Sequence, residues 1–240
     1  TRQPRPWRQG WSVGRPPRSV RVPEILVPSS APATVDEPGI RRRRRVVATA
    51  TIVVGTALLG ATLRVPRGSA WFTVLGVLVA ATWTVGSFAS GPIPLTRGRV
   101  AWRSVVGPVL TGVAAFVAFV VAYLVARRLP LIGPAIDGVL TTADAGPTAL
   151  VLFVALVNGV GEELFFRGAL HAALERHHPA TGTTIAYVVV TAATGNIALV
   201  IAAVVMGVLF SLERLSTRAV LAPMVTHLTW STLMILALPR

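Results

Sequence analysis

The chain has 240 residues, of which 53% are hydrophobic and only 13% are charged. A water-soluble domain usually carries about 25% charged residues, so this composition excludes an ordinary soluble enzyme or binding module for most of the chain. The charge is strongly positive, with 23 Lys and Arg residues against 9 Asp and Glu residues, and the absence of Cys excludes disulfides and thiolate chemistry.

The first 45 residues differ in composition from the rest of the chain. They are rich in Pro and Arg, so they cannot bury enough apolar surface to offset the entropy lost on ordering. We predict a disordered or extended cytoplasmic tail over residues 1–45, with a docking arm for a membrane-protein partner as the alternative. The run Arg41–Arg45 directly precedes an apolar stretch and predicts a cytoplasmic helix end that attracts anionic lipids. A nucleic-acid partner is not needed to explain this charge.

Residues 46–240 alternate long apolar runs with short basic loops, which is typical of a transmembrane domain. Since a helix needs about 20 apolar residues to cross a bilayer, we predict an all-α polytopic bundle of about seven spans. The segment Leu129–Gly146 is predicted to be a loop or an interfacial piece. The predicted spans are Val46–Leu63, Ala70–Ala89, Val105–Ala126, Thr148–Leu170, Thr183–Thr194, Ile197–Leu212 and Val220–Leu238.

The placement of Arg residues predicts the orientation of this bundle. With the N-terminus inside, the cytoplasmic side receives more Arg than the outer side, as the positive-inside rule requires. We therefore predict a multi-pass protein of the cell membrane with a cytoplasmic N-terminus and an outer C-terminus. The basic residues are all Arg, with no Lys, and the chain is rich in Ala and Val, a composition that favours a bacterial source.

The fourth predicted span carries charge, whereas the other predicted spans contain no acidic residue. Glu163 and Arg167 are four residues apart, so they share a helix face and are expected to form a buried pair. Glu162 lies about 100° further around the helix, on the face of Asn158. Charged groups inside a membrane span are costly and usually have a function, so this helix predicts a site.

Two carboxylates against one guanidinium leave one carboxylate without a partner. That carboxylate could be protonated, could bind a metal, or could act as a base. The alternative without a function is that both Glu residues form a solvated helix end at the cytoplasmic interface. His171, one turn after Arg167, is expected at the cytoplasmic surface.

Two further polar groups are candidates for the same site. His227 and Ser231 are four residues apart in the last predicted span, one turn after Pro223. Gly195 and Asn196 separate two short apolar runs and predict either irregular backbone within the membrane or a plain turn on the outer side.

Two stretches carry a family resemblance, EELFFRG at residues 162–168 and LAPMVTHLTWS at residues 221–231. Together they resemble the CAAX protease and bacteriocin-processing family, also called CPBP or Abi. The resemblance covers residues 146–238. The first family motif, Glu-Glu-x-x-x-Arg, is present. The last motif starts with His and has Asn four residues later, where this chain has Ser231. The middle motif, Phe-x-x-x-His, falls by spacing on Ala192 and Asn196, so neither of its hallmark residues is present.

This resemblance implies a fold, a reaction and a role for each residue. Glu162 would activate water as a general base, Glu163 and Arg167 would fix the site, and His227 would donate to the oxyanion. Asn196 could bind a water and Ser231 could donate a hydrogen bond. The candidate catalytic residues are therefore Glu162, Glu163, Arg167, Asn196, His227 and Ser231.

Family members are described both as metalloproteases and as metal-free glutamate enzymes. One His with one or two Glu is a poor zinc ligand set, because catalytic zinc usually has three protein ligands. We therefore expect no obligate cofactor, and a divalent metal such as zinc is the alternative.

The function that we predict is an intramembrane endopeptidase acting on membrane-anchored or lipid-modified substrates. The alternative is a catalytically weak or inactive homologue that serves as a scaffold or assembly subunit of a membrane complex, which Asn196 favours. A transporter with a buried proton-relay Glu is a third interpretation, made weaker by the single acidic span.

Overall fold

The computed structural model describes residues 38–62, 64–66, 68–98, 102–144, 146–175 and 177–238, and every regular element in these ranges is helical. The predicted all-α fold is therefore confirmed. Residues 1–37 of the predicted tail lie outside the described residues, and its last eight residues are the start of α1. The elements are α1 (Pro38–Thr62), α2 (Ala70–Ser90), α3 (Arg103–Ala126), α4 (Gly133–Asp144), α5 (Thr148–Glu162), a π-helix (Glu163–Leu170), α6 (His171–Ala173), α7 (Pro179–Ala192), α8 (Ile197–Thr217) and α9 (Leu221–Ala237).

Five helical stretches in the described residues are long and apolar enough to cross a membrane, rather than the seven predicted. Helix α7 has 14 residues and α9 has 17, which gives lengths of about 21 and 26 Å at 1.5 Å per residue. Both are shorter than a bilayer core of about 30 Å. The five stretches are Gly39–Thr62, Ala70–Ser90, Ser104–Ala126, Thr148–Ala173 and Ile197–Thr217.

Three predicted boundaries are also corrected. Helix α1 begins before the Arg41–Arg45 run, so these cations lie on a helix and not in the preceding tail. The segment Leu129–Gly146, predicted to be a loop or an interfacial piece, contains the 12-residue helix α4. Helix α8 continues past Leu212 to Thr217 and includes Glu213, so the fourth span is not the only acidic one.

The hydrogen bonds between helix ends define two sides of the bundle. Arg43 Nε donates to the carbonyl of Ala89 at 2.9 Å, so α1 starts where α2 ends. The backbone N–H of Val220 donates to the carbonyl of Pro94 at 3.0 Å, which places the start of α9 at the same end. We call this end the tail side and the opposite end the far side.

Arginine is distributed unevenly between the two sides. Among the described residues the tail side has Arg41–Arg45, Arg97, Arg214 and Arg218, whereas the far side has Arg64, Arg127 and Arg128. The asymmetry has the sense that the positive-inside rule requires if the tail side is cytoplasmic. The orientation itself stays a prediction.

Helix packing around the fourth span depends on large aromatic side chains set against small residues. Trp83 on α2 is 1% exposed, and its ring centroid lies 5.0 Å from that of Phe165 and 5.4 Å from that of Phe166. Gly55 on α1 leaves space that this indole fills, because a Cβ at position 55 would overlap the ring. Within a membrane, such close packing holds helices together more than the hydrophobic effect does.

Candidate active site

The EELFFRG stretch begins with Glu162, the last residue of α5, and continues on the π-helix. All eight residues from Glu163 to Leu170 are buried. The wider π turn displaces the backbone from its α-helical hydrogen bonds, and Arg214 Nε on α8 donates to the carbonyl of Arg167 at 2.8 Å. Single π turns inside α-helices occur frequently at functional sites, because they reorient the side chains that they carry.

Glu163 is the centre of the charged cluster. Its side chain is completely buried, and its Oε1 accepts a hydrogen bond from Arg167 Nη1 at 3.1 Å. The predicted buried pair is therefore confirmed. The same oxygen lies 3.0 Å from His227 Nδ1 on α9, while Oε2 is buried and has no protein partner. Glu163 thus joins the first and last motifs, although the two are 64 residues apart.

Arg167 is held by α7 and α8 as well as by Glu163. Its Nη2 donates to the carbonyl of Gly207 at 3.3 Å. Its guanidinium carbon lies 4.8 Å from the centroid of the Tyr187 ring and 5.0 Å from that of Phe210, both within cation–π distance. These contacts compensate a cation that has no exposed surface.

His227 is oriented by three neighbours. When Glu163 is ionised it can only accept, so Nδ1 carries the proton of this contact and Nε2 takes no part in it. The ring stacks on Phe210, with centroids 4.8 Å apart and an interplanar angle of 24°. Gly159 on α5 lies beside the ring, where an added Cβ would be in van der Waals contact with the imidazole at 3.6 Å and would crowd Leu228 at 3.2 Å.

Glu162 is half-buried and faces the same cluster from the last turn of α5. It lies within electrostatic range of His227, Glu163 and Arg167, and it faces the Tyr187 side chain on α7. Glu162, Glu163, Arg167 and His227 therefore converge, as the sequence predicts.

The side-chain hydrogen bonds of Asn196 do not involve this cluster. Its Oδ1 accepts from the backbone N–H groups of Ala198 and Leu199, at 2.9 and 3.1 Å, and so caps the start of α8. Its Nδ2 donates to the carbonyl of Ala135 on α4 at 2.8 Å. These contacts account for both ends of the amide, and they belong to a far-side helix cap.

Ser231 and Asn158 also lie one helical turn further toward the far side than the cluster. Ser231 lines an apolar cavity of about 330 Å³ between α3, α4, α8 and α9. Asn158 Nδ2 donates to the carbonyls of Gly76 and Val154, at 3.0 and 2.9 Å, and so links α5 to α2.

The structure adds residues that the sequence analysis missed. Tyr187 contacts both Glu162 and Arg167, and Arg214 supports the π-helix. Glu213 accepts a hydrogen bond from Thr226 at 2.7 Å, one residue before His227. The expected surface position of His171 is wrong, since that side chain is 8% exposed. The signal for Glu213 and Arg214 was available, because two adjacent charges follow an apolar run without an intervening turn residue.

The cluster does not have the composition of a metal centre. Within the described ranges, no group of three or more His, Cys, Asp or Glu side chains is placed to hold a metal ion. Glu163 Oε1 and His227 Nδ1 already bind each other, which removes one donor atom from each residue. The residues present therefore do not fit a catalytic zinc with three protein ligands.

Comparison with known families agrees with the motifs. The family model for type II CAAX prenyl endopeptidases, described as Rce1-like, matches residues 144–233. No curated protein and no solved structure matches the chain. The matched segment contains the π-helix and α9, which supply the Glu163 and His227 contact. The predicted resemblance to the intramembrane CAAX protease family is thereby confirmed over residues 144–233.

Proposed function

We propose that this protein is an intramembrane endopeptidase that hydrolyses peptide bonds of membrane-anchored or lipid-modified substrates with water activated by Glu162. The observation that carries the proposal is the hydrogen bond between His227 and Glu163. It brings the two motifs of the matched family together beside a half-buried carboxylate that Tyr187 holds in place. The family match over residues 144–233 supports this kind of protein, and the activity and the residue roles are our proposal.

The reaction divides into two proton transfers. Glu162 removes a proton from water while the hydroxyl oxygen bonds to the carbonyl carbon of the substrate. The carbonyl oxygen becomes an oxyanion, which His227 stabilises by donating from Nε2. Glu162 then returns its proton to the amide nitrogen as the C–N bond breaks. We derive no step through a metal or another cofactor.

Glu163 and Arg167 act on this reaction through His227. The carboxylate fixes the orientation of the imidazole and stabilises the positive charge that it carries when both ring nitrogens are protonated. Arg167 lies 3.1 Å from Glu163 and balances its negative charge. Because the charge of Glu163 is compensated, it opposes the ionisation of Glu162 less.

We assign the counterpart of the middle family motif to α7. Tyr187 and Thr191 have the same spacing as the Phe and His of that motif, and Tyr187 is the residue that contacts Glu162. Thr191 donates its hydroxyl proton to the carbonyl of Tyr187 at 2.8 Å. This assignment replaces Ala192 and Asn196 and leaves the Tyr187 hydroxyl as the group that holds the base.

The setting of the enzyme is also a proposal. We place it in a bacterial cell membrane with the tail side cytoplasmic, as the distribution of Arg favours. Arg42 and Arg45 are exposed at the start of α1 and line a shallow cavity that suits an anionic lipid headgroup. Arg44 has a structural role instead, because it is 4% exposed and donates to the carbonyl of Pro92 at 3.0 Å.

The test of the enzyme proposal is Glu162→Gln. This change keeps the size and hydrogen bonding of the side chain but removes the base, so we expect cleavage to fall by about 10²–10⁴-fold while the protein still folds. The matched control is Glu175→Gln, at an exposed glutamate on the tail side. The measurement is quantitative sequencing of new peptide termini in the membrane fraction of cells that carry each variant.

The second candidate function is a scaffold derived from such an enzyme. The observation that favours it is that Asn196 and Thr191 offer no proton-transfer group where the family motif has His. Full rescue of a deletion strain by both Glu162→Gln and His227→Ala would establish the scaffold and reject the protease. Thr191→His distinguishes the protease from the scaffold further, because only an enzyme that has lost activity would gain cleavage from this change.

A further inference from the structure

A cavity of about 500 Å³ opens on the far side of the bundle. It lies between the far-side halves of α1, α2 and α5, with α4 and the turn between α7 and α8 along its edge. It adjoins the apolar cavity that Ser231 lines, since Val139, Ala155 and Leu199 contribute to both. We call it the far-side cavity.

Uncharged polar side chains are distributed along this cavity. None of the lining residues that the structure describes is charged, and the polar ones are Thr62, Thr73, Thr142, Asn158, Thr194 and Asn196. Polar groups and irregular backbone at membrane depth are tolerated where they line a water-filled space. The far-side cavity therefore offers six uncharged polar side chains set within a mainly apolar lining.

The hydrogen bonds of the lining leave mainly acceptors available. The Nδ2 of Asn158 donates both of its hydrogen bonds to backbone carbonyls, so its Oδ1 remains available to a ligand. Thr62 and Thr142 donate to carbonyls of their own helices, at 2.8 Å each, and their oxygens can still accept. Groups of this kind bind water and the N–H groups of a peptide backbone, and they favour no charged ligand.

The cavity ends one helical turn from the proposed base. Asn158, its deepest residue on α5, is four residues before Glu162 and shares its face. Toward the tail side the same span is closed, because every residue from Glu163 to His171 is buried. Trp83 closes this end further, with its ring against Phe165 and Phe166.

We propose that the far-side cavity is the route by which water and an extended, uncharged peptide segment of the substrate reach Glu162. This inference rests on the proposed protease function and adds the side of entry and the chemistry of the segment. If the tail side is cytoplasmic, the cleaved segment lies on the outer side of the membrane. A substrate segment entering here must be unfolded locally, so that its backbone N–H groups meet the lining acceptors.

The test uses the absence of Cys from the chain, since each introduced thiol is then the only one. Thr73→Cys and Val154→Cys place a thiol in the far-side cavity. Val74→Cys is the matched control, because its side chain is on the same turn of α2, is 44% exposed and does not line the cavity. The probe is the charged reagent sulfonatoethyl methanethiosulfonate, applied to the full chain in sealed membrane vesicles.

We expect both cavity thiols to react at least about tenfold faster than the thiol of Val74→Cys, because the reactive thiolate forms in water and not in lipid. Ser216→Cys, at an exposed tail-side position, reports the vesicle orientation. The cavity thiols should react in vesicles where the Ser216→Cys thiol is protected.

Two results would overturn the route: equal rates for the cavity thiols and the control, or reaction from the tail side. The first would mean that the cavity holds lipid chains instead of water. Because labelling needs no cleavage, its outcome is independent of the enzyme test. Reactive cavity thiols together with full activity of Glu162→Gln would reject the protease and leave the aqueous cavity in place.

Discussion

Helix α5 and the π-helix that continues it form one membrane span with two different halves. The far-side half carries only uncharged residues before Glu162, and most of them are half-buried or exposed. The tail-side half carries Glu163 and Arg167, and every residue in it is buried. Charge and exposure are therefore inversely related along this span, which is the opposite of what a water-soluble helix shows.

The difference shows what a charge needs in order to lie within a membrane protein. Glu163 and Arg167 have partners on three other helices, because His227, Gly207 and Tyr187 lie on α9, α8 and α7. Asn158, in the other half, is satisfied by two backbone carbonyls. Glu162 lies at the boundary between these two halves of the span. The charged network is on one side of it and the uncharged cavity ends one helical turn away on the other, which is where the proposed base would need to meet water.

The strongest way to break this comparison is to remove one charge from the closed half. Arg167→Ala leaves Glu163 buried without its cation, and we expect the unfolding free energy to fall by about 3–5 kcal/mol. Thermal denaturation in detergent measures this loss. The control is Arg128→Ala, at an exposed arginine on the far side, which should change stability little. Equal stability of the two variants would contradict a buried network.

Removing both charges of the pair refines the same prediction. The double variant Arg167→Met and Glu163→Gln leaves no uncompensated charge, so it should be less destabilised than Arg167→Ala alone. It should still lack cleavage, because His227 loses the carboxylate that orients it. A double variant less stable than the single one would show that packing, and not charge, dominates this half.

The boundary position is tested by Tyr187→Phe. The change keeps the ring contacts with Phe166 and Arg167, at 5.1 and 4.8 Å, and removes only the hydroxyl that we propose to position Glu162. A hydrogen bond to a charged group contributes about 1.5–3 kcal/mol, so we expect cleavage to slow by roughly ten- to a hundredfold. The rate of terminus formation in cells measures it.

The control for this variant is Tyr123→Phe, since the Tyr123 hydroxyl binds Arg127 at 3.4 Å on the far side. It should leave cleavage unchanged. If Tyr187→Phe also cleaves at the normal rate, Tyr187 packs against Arg167 without positioning the base, and the assignment of the middle motif to α7 is wrong.

How far the sequence predicts each half follows from the same physics. Glu163, Arg167 and His227 stand out because charged and ionisable groups are rare in apolar spans, and their spacing places the first two in contact. Tyr187 does not stand out, because an aromatic residue in an apolar helix has the appearance of ordinary packing. The π-helix is equally hidden, since a segment buried on all sides has no polar face whose period reveals the turn.

Asn196 shows the limit of assigning a role by spacing from a motif. Its position after Gly195 and before an apolar run is that of a helix N-cap, for which Asn is among the preferred residues. The family spacing pointed to the active site instead, and the span count erred in the same region because α7 is only 14 residues long. Local capping chemistry is the better guide here, since it depends on neighbours in the chain and not on a distant pattern.

The smallest expected effect comes from removing that cap. Asn196→Ala loses the acceptor for Ala198 and Leu199 and the bond to Ala135, and should lower the unfolding free energy by about 1 kcal/mol. Cleavage per folded molecule should change less than in Tyr187→Phe. Asn196→Ser is the matched control, because it keeps an N-cap acceptor oxygen and should retain most of the stability. Lost cleavage at unchanged stability in Asn196→Ala would place Asn196 in the chemistry after all, and the far-side cavity would then be lined by a catalytic group as well as being the route to one.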